Sequence, residues 1–270
     1  MTRTRHRMTV PEFRSRKGAG EPLVMLTAYD TVSASVCEAA GIDVMLVGDS
    51  LGNVLLGYED TLPVTMDEML HHARAVGRAR SHALLIGDMP WMSYHLEPLE
   101  ALRNAARFVR EARCDAVKLE GGMARIPAIK AIVGAGIPVM GHLGLTPQSV
   151  LEMGGYKVQG RTEEDGWRLV QDALAIVEAG VFGMVLEGLP GDLARRITAE
   201  VDVPTIGIGA GNACDGQVLV YHDLLGMSPG KSPKFVRHYA EIREQQIEAV
   251  RRFAGDVRER AFPGEEETYK

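Results

Sequence analysis

Asp43-Val44-Met45-Leu46-Val47-Gly48-Asp49-Ser50 is an apolar run that stops at an acid and a hydroxyl. The same event recurs downstream. Leu84-Leu85-Ile86-Gly87 stops at Asp88, Ala116-Val117-Lys118-Leu119 at Glu120, Ile137-Pro138-Val139-Met140-Gly141 at His142, and Gly183-Met184-Val185-Leu186 at Glu187. Short apolar runs bounded by Gly or Pro read as buried parallel strands. Taken singly, an acid at the end of such a run is also a favourable cap for a following helix. Five in succession point instead to C-terminal strand ends that share a polar pocket, which in a barrel is the active-site face.

Outward from this stretch, strands are expected over residues 23–28, 44–48, 83–87, 116–119, 138–141, 182–186, 204–208 and 218–221. Between them lie helical patterns. Asp30 caps one that runs to Ala40, and Thr65, with Glu68 three residues on, caps another that runs to Ala79. Further helices are expected over 98–112, from Gly121-Gly122 to 134, over 167–179 and over 191–199. Ala101, Ala105, Phe108 and Val109 share one face of the 98–112 helix. Thr9-Val10-Pro11-Glu12 has capping-box spacing, which predicts a short helix over 10–16 placed to plug the bottom of a barrel. Residues 234–262 read as one long helix with an apolar stripe of Phe235, Tyr239, Ile242, Val250, Phe253 and Val257. Eight strands alternating with helices predict an α/β fold, a (β/α)8 TIM barrel with a short N-terminal helix and an extended C-terminal helix, as a single domain over 1–270. An open doubly wound sheet is the alternative, disfavoured because no GxGxxG follows the first strand.

Size and composition fit. A chain of 270 residues suits a fold that typically needs about 250. A net charge of −6 disfavours a nucleic-acid surface. Cys37, Cys114 and Cys214 are odd in number and scattered, which favours a reduced interior over a disulfide framework or zinc site. Residues 1–8 are Arg-rich without an apolar segment and read as a solvated basic tail rather than a secretory signal. No run approaches the ~20 apolar residues of a membrane span.

Asp49 and Asp88 end strands adjacent in sequence order, and neighbouring strands lie about 4.8 Å apart, so both carboxylates can reach one point. With water and substrate oxygens they suit a hard ion such as Mg²⁺; as helix caps or salt-bridge partners they would be structural. Glu120 is a further ligand position or a holder of metal-bound water. Lys118, two residues before Glu120, shares its face of the strand. It either pairs with Glu120 or Asp88 or grips a substrate carboxylate. His142 is an accessory group or a satisfied structural histidine. Glu187 faces the acids from across the barrel and is the candidate general base. The segment 143–166 is long enough to be a lid. Gly207-Ile208-Gly209-Ala210-Gly211 lies where barrels often hold phosphate, which keeps open a sugar-phosphate isomerase or aldolase, or a barrel that only binds a small anion.

Several stretches carry a family resemblance: Met45-Leu46-Val47-Gly48-Asp49-Ser50-Leu51-Gly52, Thr61-Leu62-Pro63-Val64-Thr65, Gly87-Asp88-Met89-Pro90, Val117-Lys118-Leu119-Glu120-Gly121-Gly122, Gly141-His142-Leu143-Gly144-Leu145-Thr146-Pro147-Gln148-Ser149, Gly154-Gly155-Tyr156-Lys157-Val158-Gln159-Gly160 and Gly207-Ile208-Gly209-Ala210-Gly211. In order, from about residue 23 to 235, they resemble the ketopantoate hydroxymethyltransferase family. The resemblance implies Mg²⁺-dependent transfer of a one-carbon unit from 5,10-methylenetetrahydrofolate to 3-methyl-2-oxobutanoate, giving 2-dehydropantoate for pantothenate biosynthesis. It implies one Mg²⁺ per subunit at Asp49, Asp88 and Glu120, a keto-acid site of Asp49, Ser50, Asp88 and Lys118, and Glu187 as catalytic base. It implies a cytoplasmic homo-oligomer, commonly a decamer, without nucleic-acid or membrane partners. The chain is also similar to the phosphoenolpyruvate/pyruvate barrel group, but lacks that group's Lys-Cys-Gly-His loop.

Overall fold

The computed structural model describes residues 6–230 and 232–270, so most of the expected basic tail over residues 1–8 lies outside the described residues. In chain order the strands are β1 (Leu23–Thr27), β2 (Val44–Val47), β3 (Leu84–Asp88), β4 (Ala116–Lys118), β5 (Val139–Gly144), β6 (Gly183–Glu187), β7 (Thr205–Ile208) and β8 (Gly216–Leu219). The α-helices are α1 (Val10–Ser15), α2 (Thr31–Ala40), α3 (Met66–Ala79), α4 (Pro98–Ala112), α5 (Ile126–Gly134), α6 (Val150–Met153), α7 (Glu163–Glu178), α8 (Gly191–Glu200), α9 (Tyr221–Leu224) and α10 (Ile242–Arg258). The chain divides into two compact units, Met1–Val220 and Tyr221–Lys270, and every strand belongs to the first.

The eight strands form one closed parallel barrel in sequence order, with β1 returning to β8 through Leu23 opposite Gly216. The expected (β/α)8 architecture is therefore the observed one. Alternation along the strands explains where the chemistry sits. Ile86, Ala116, Met140 and Val185 belong to the apolar cluster inside the barrel. Two residues on from each, on the same face of its strand, come Asp88, Lys118, His142 and Glu187. The barrel interior is apolar toward the N-terminal ends and turns polar at one level.

Capping chemistry starts the helices where the sequence places it. Thr9 and Glu12 form a capping box on α1, Thr65 and Glu68 one on α3, and the Asp30 side chain accepts from the Ser33 N–H at the start of α2. Helix α1 places Phe13, fully buried, in the interior cluster with Leu23 and Phe182, its ring edge-on to Phe182 at 5.2 Å. Burying a side chain of that size contributes roughly 1.5–3 kcal/mol. Gly183 is needed there, because a Cβ would come within 2.6 Å of the Phe13 ring. Met8 N–H donates to the carbonyl of His82, just before β3, at 2.8 Å. The plug expected at the barrel bottom is present.

Three expectations need correction. Helix α7 begins at Glu163, four residues before the expected Trp167, because Thr162 caps it by accepting from the Asp165 N–H at 3.1 Å. Strand β8 begins at Gly216 rather than Val218, since Gly216 lies so close to Leu23 on β1 that a Cβ there would meet its carbonyl at 2.5 Å. The long C-terminal helix is shorter than expected: residues 234–241 are not helical. The carbonyls of Leu224 and Leu225 accept from Tyr239 and Ile242, which pins this segment outside the α-helical ladder until α10 starts.

Candidate active site

Strands β2 to β6 deliver the polar groups to the C-terminal rim. Asp88 closes β3, Lys118 closes β4 in register with it, His142 lies within β5 and Glu187 closes β6. Asp49 and Ser50 follow β2, and Glu120 follows β4. Asp49, Asp88, Lys118, Glu120 and His142 are all buried, whereas the Glu187 side chain keeps 15% exposure and so faces the open side.

The ammonium of Lys118 lies 2.8 Å from Asp88 Oδ1 and 3.9 Å from Glu120 Oε1. Of the two pairings open for this lysine in the sequence, the one with Asp88 is the close one. The Asp49 N–H donates to Asp88 Oδ2 at 3.3 Å, which ties the two acids together through backbone. The imidazole of His142 bridges two carboxylates: Nδ1 is 3.4 Å from Glu120 Oε1, and Nε2 is 3.2 Å from Glu187 Oε2. Nδ1 is also 3.2 Å from Lys118 Nζ, a contact that can be a hydrogen bond only when Nδ1 is unprotonated. Burial and Lys118 push His142 toward the neutral form, but Glu120 and Glu187 outweigh them and raise it to about 9. The two glutamates thus favour the cationic ring, and Lys118 opposes it. Glu187 pairs with His142 rather than Lys118.

The charge balance is uneven. Asp49, Asp88, Glu120 and Glu187 face Lys118 and His142 as the cationic groups among the described residues. Burial, and then the neighbouring Asp88 and Glu120 charges, push Asp49 well above the usual carboxylate range. Burial likewise raises Asp88 despite Lys118. Burial opposes the charge of Lys118, yet its three acids hold it above its ordinary value. Burial also works against Glu120, but His142, then Lys118 and the Gln148 N–H, bring it below its ordinary value.

Two groups without an assigned role in the sequence complete the site. Gln148 Nε2 donates to Asp49 Oδ2 at 2.9 Å and to the Met89 carbonyl at 3.0 Å, while its backbone N–H donates to Glu120 Oε2 at 3.0 Å. The Tyr94 hydroxyl donates to Gln148 Oε1 at 2.6 Å and accepts from the Glu120 N–H at 3.1 Å. The only hint of Gln148 in the sequence is its place in the Thr-Pro-Gln-Ser stretch after β5; nothing there marks Tyr94. Ser50 Oγ is 2.8 Å from the Tyr29 hydroxyl, on the side of β1. Cys214 offers no nucleophile, because burial raises its thiol above the ordinary value.

For a hard cation, the donor set is suitable but open. Asp88 Oδ1 and Glu120 Oε1 are buried without a well-aligned hydrogen-bond donor. Among the described residues no three His, Cys, Asp or Glu side chains are grouped to hold an ion by themselves. Mg²⁺ is commonly held through one or two carboxylates, with water and substrate oxygens completing its shell, and rarely by an all-protein cage. Asp49 and Asp88 fit that manner of binding, with Glu120 alongside, engaged with His142 and the Gln148 N–H.

The sequence model of the ketopantoate hydroxymethyltransferase family matches residues 7–265. This chain belongs to that family. A protein of Moorella thermoacetica named 3-methyl-2-oxobutanoate hydroxymethyltransferase is 54% identical over 266 residues, which span 98% of this chain and 99% of that one. Proteins of the same name from Syntrophomonas wolfei and Nitratidesulfovibrio vulgaris are 54% and 55% identical, over 97% of this chain and 95% and 85% of their own. As a member of the ketopantoate hydroxymethyltransferase family, the chain is an enzyme, a transferase. Among solved structures it is similar to a phosphoenolpyruvate phosphomutase from Streptomyces platensis, with a TM-score of 0.63 at 16% identity over 93% of this chain and 88% of that one. It is also similar to a phosphonopyruvate hydrolase in complex with oxalate and Mg²⁺, with a TM-score of 0.62 at 15% identity over 96% and 93%. At such identities the likeness speaks to the fold alone. No helix among the described residues is long and apolar enough to cross a membrane.

Proposed function

We propose that the enzyme transfers a hydroxymethyl group to 3-methyl-2-oxobutanoate, giving 2-dehydropantoate for pantothenate biosynthesis, with 5,10-methylenetetrahydrofolate as donor. The observation that carries this is the match of relatives bearing that name along nearly the whole chain. The site chemistry supports it. Asp49 and Asp88, with Glu120, are the residues that would hold one Mg²⁺ per subunit. A divalent ion there supplies Lewis-acid polarisation of the substrate carbonyl.

The chain's own groups account for the rest. Lys118 and Ser50 offset and orient the carboxylate of the keto acid. Glu187, on the open side and turned toward the site by His142, accepts the proton from C3. The electron pair left on C3 attacks the methylene carbon of the donor as one of its two bonds to folate nitrogen breaks; water then displaces the second nitrogen, so that the oxygen stays on the product as its hydroxyl and tetrahydrofolate leaves with both nitrogens protonated. His142, lodged between Glu120 and Glu187, holds the base in place; guiding the water is a second role open to it. We place the enzyme in the cytoplasm as a homo-oligomer, a decamer by family resemblance.

Incubating the purified enzyme with 3-methyl-2-oxobutanoate, 5,10-methylenetetrahydrofolate and Mg²⁺, with mass spectrometry of the products, tests the reading. 2-Dehydropantoate formation that stops when Mg²⁺ is chelated supports it; absence of product at every divalent ion supplied overturns it.

A further inference from the structure

The amide of Gln148 has no spare donor. Both Nε2 hydrogens are used, one on Asp49 Oδ2 and one on the Met89 carbonyl, and Oε1 accepts from Tyr94. Gln148 is 5% exposed and Tyr94 2%. The orientation is also determined rather than chosen. A carbonyl and a carboxylate only accept, so turning the amide over would set Oε1 against two acceptors. Tyr94 is itself held by that N–H. The chain of bonds runs from the backbone after β4, through Tyr94 and Gln148, to Asp49, and its backbone branch fixes Glu120 through the Gln148 N–H.

A lysine or arginine in this place would hold Asp49 equally well but would cancel its charge. Glutamine orients the carboxylate with a neutral donor and leaves the whole negative charge available to a cation. Carboxylates that ligate metals are themselves held by such hydrogen bonds, whose loss typically weakens metal affinity about 10- to 100-fold.

We infer that Gln148, locked by the Tyr94 hydroxyl, is a positioning residue that aims the Asp49 carboxylate at the divalent-cation position. The inference rests on the reading of Asp49 and Asp88 as the cation site.

Calorimetric titration of the whole protein with Mn²⁺, without keto acid or folate, tests it at a temperature where circular dichroism finds every variant folded. Gln148→Met keeps the bulk and removes both donors; its dissociation constant rises about 10- to 100-fold. Tyr94→Phe keeps the ring and leaves Gln148 its donors but unlocked, so its constant rises by less, and it serves if Gln148→Met does not fold. The Asp49→Asn/Gln148→Met pair gives the reading that a merely structural role would not: because Gln148 acts through Asp49, the double variant binds no more weakly than Asp49→Asn alone. Unchanged constants in the single variants, or additive losses in the double, overturn the inference while the cation site stands. No Mn²⁺ binding by the unaltered protein overturns the cation site and the inference with it.

Discussion

At the N-terminal ends of the strands, Asp215 accepts from Lys17 Nζ at 3.0 Å, the Thr205 N–H at 2.9 Å and the Gly18 N–H at 3.1 Å, and Glu38 accepts from Ser81 and from the N–H groups of His82 and Ala83. Burial works against both acids, yet the donors around them bring both below their ordinary values. At the C-terminal ends, Asp49 and Asp88 are more deeply buried and sit above theirs. The same residue type is matched with donors at one end and left in surplus at the other. In barrels the first end serves stability and the second serves chemistry. The contrast teaches that the location of a buried acid says less than whether its charge has been answered.

The largest effect expected from breaking this contrast is at Glu187. Glu187→Gln keeps the shape but cannot take a proton. Exchange of the C3 hydrogen of the keto acid in heavy water, followed by NMR without folate, falls by at least about a hundredfold while keto-acid binding persists. Exchange near the unaltered rate with binding intact would remove Glu187 from the role of base.

Next in size is Asp49→Asn, which removes surplus charge. Affinity for Mg²⁺ falls about 10- to 100-fold or more, whereas resistance to urea stays level or rises because an ill-matched buried charge is gone. A loss of urea resistance with unchanged metal affinity would mark Asp49 as structural. Asp215→Asn goes the other way. It leaves Mg²⁺ affinity alone and lowers stability by about 1–3 kcal/mol, since Lys17 loses its partner. The pH dependence has a definite sign. A depressed carboxylate contributes stability that is present above its ordinary value near 4 and is lost as pH falls through the lower folded value. Stability measured from pH 6 down to 3 therefore falls more steeply for the unaltered protein than for Asp215→Asn. Equal slopes would mean that another acid dominates. The last expectation concerns mass alone: sedimentation at micromolar concentration gives a species well above the 29.4 kDa of one chain, and a monomer would contradict the oligomer.

The C-terminal half of this contrast is readable in the sequence, because the strands are short, apolar and end in ionisable residues; nothing there marks Asp215 or Glu38. The period of two then carries Ile86 to Asp88 and Met140 to His142 on one face. The start of α7 was harder to read, since Glu163-Glu164-Asp165 looks like a loop until Thr162 is seen to cap it. The apolar rhythm of Phe235, Tyr239 and Ile242 continues smoothly into α10 although the backbone does not, because carbonyls at Leu224 and Leu225 claim the N–H groups of Tyr239 and Ile242. Glu187 and Lys118 could be singled out by type and position. Tyr94 and Gln148 could not, because their importance lies in bonds between segments 54 residues apart in the chain.

Phe13 also gives the barrel interior a direction. Its ring sits in the apolar cluster with Leu23 and Phe182, while Asp88 and Glu187 close their strands at the opposite, C-terminal ends. On the proposed reading, a keto acid held by Lys118 therefore lies at that polar level with apolar side chains beneath it.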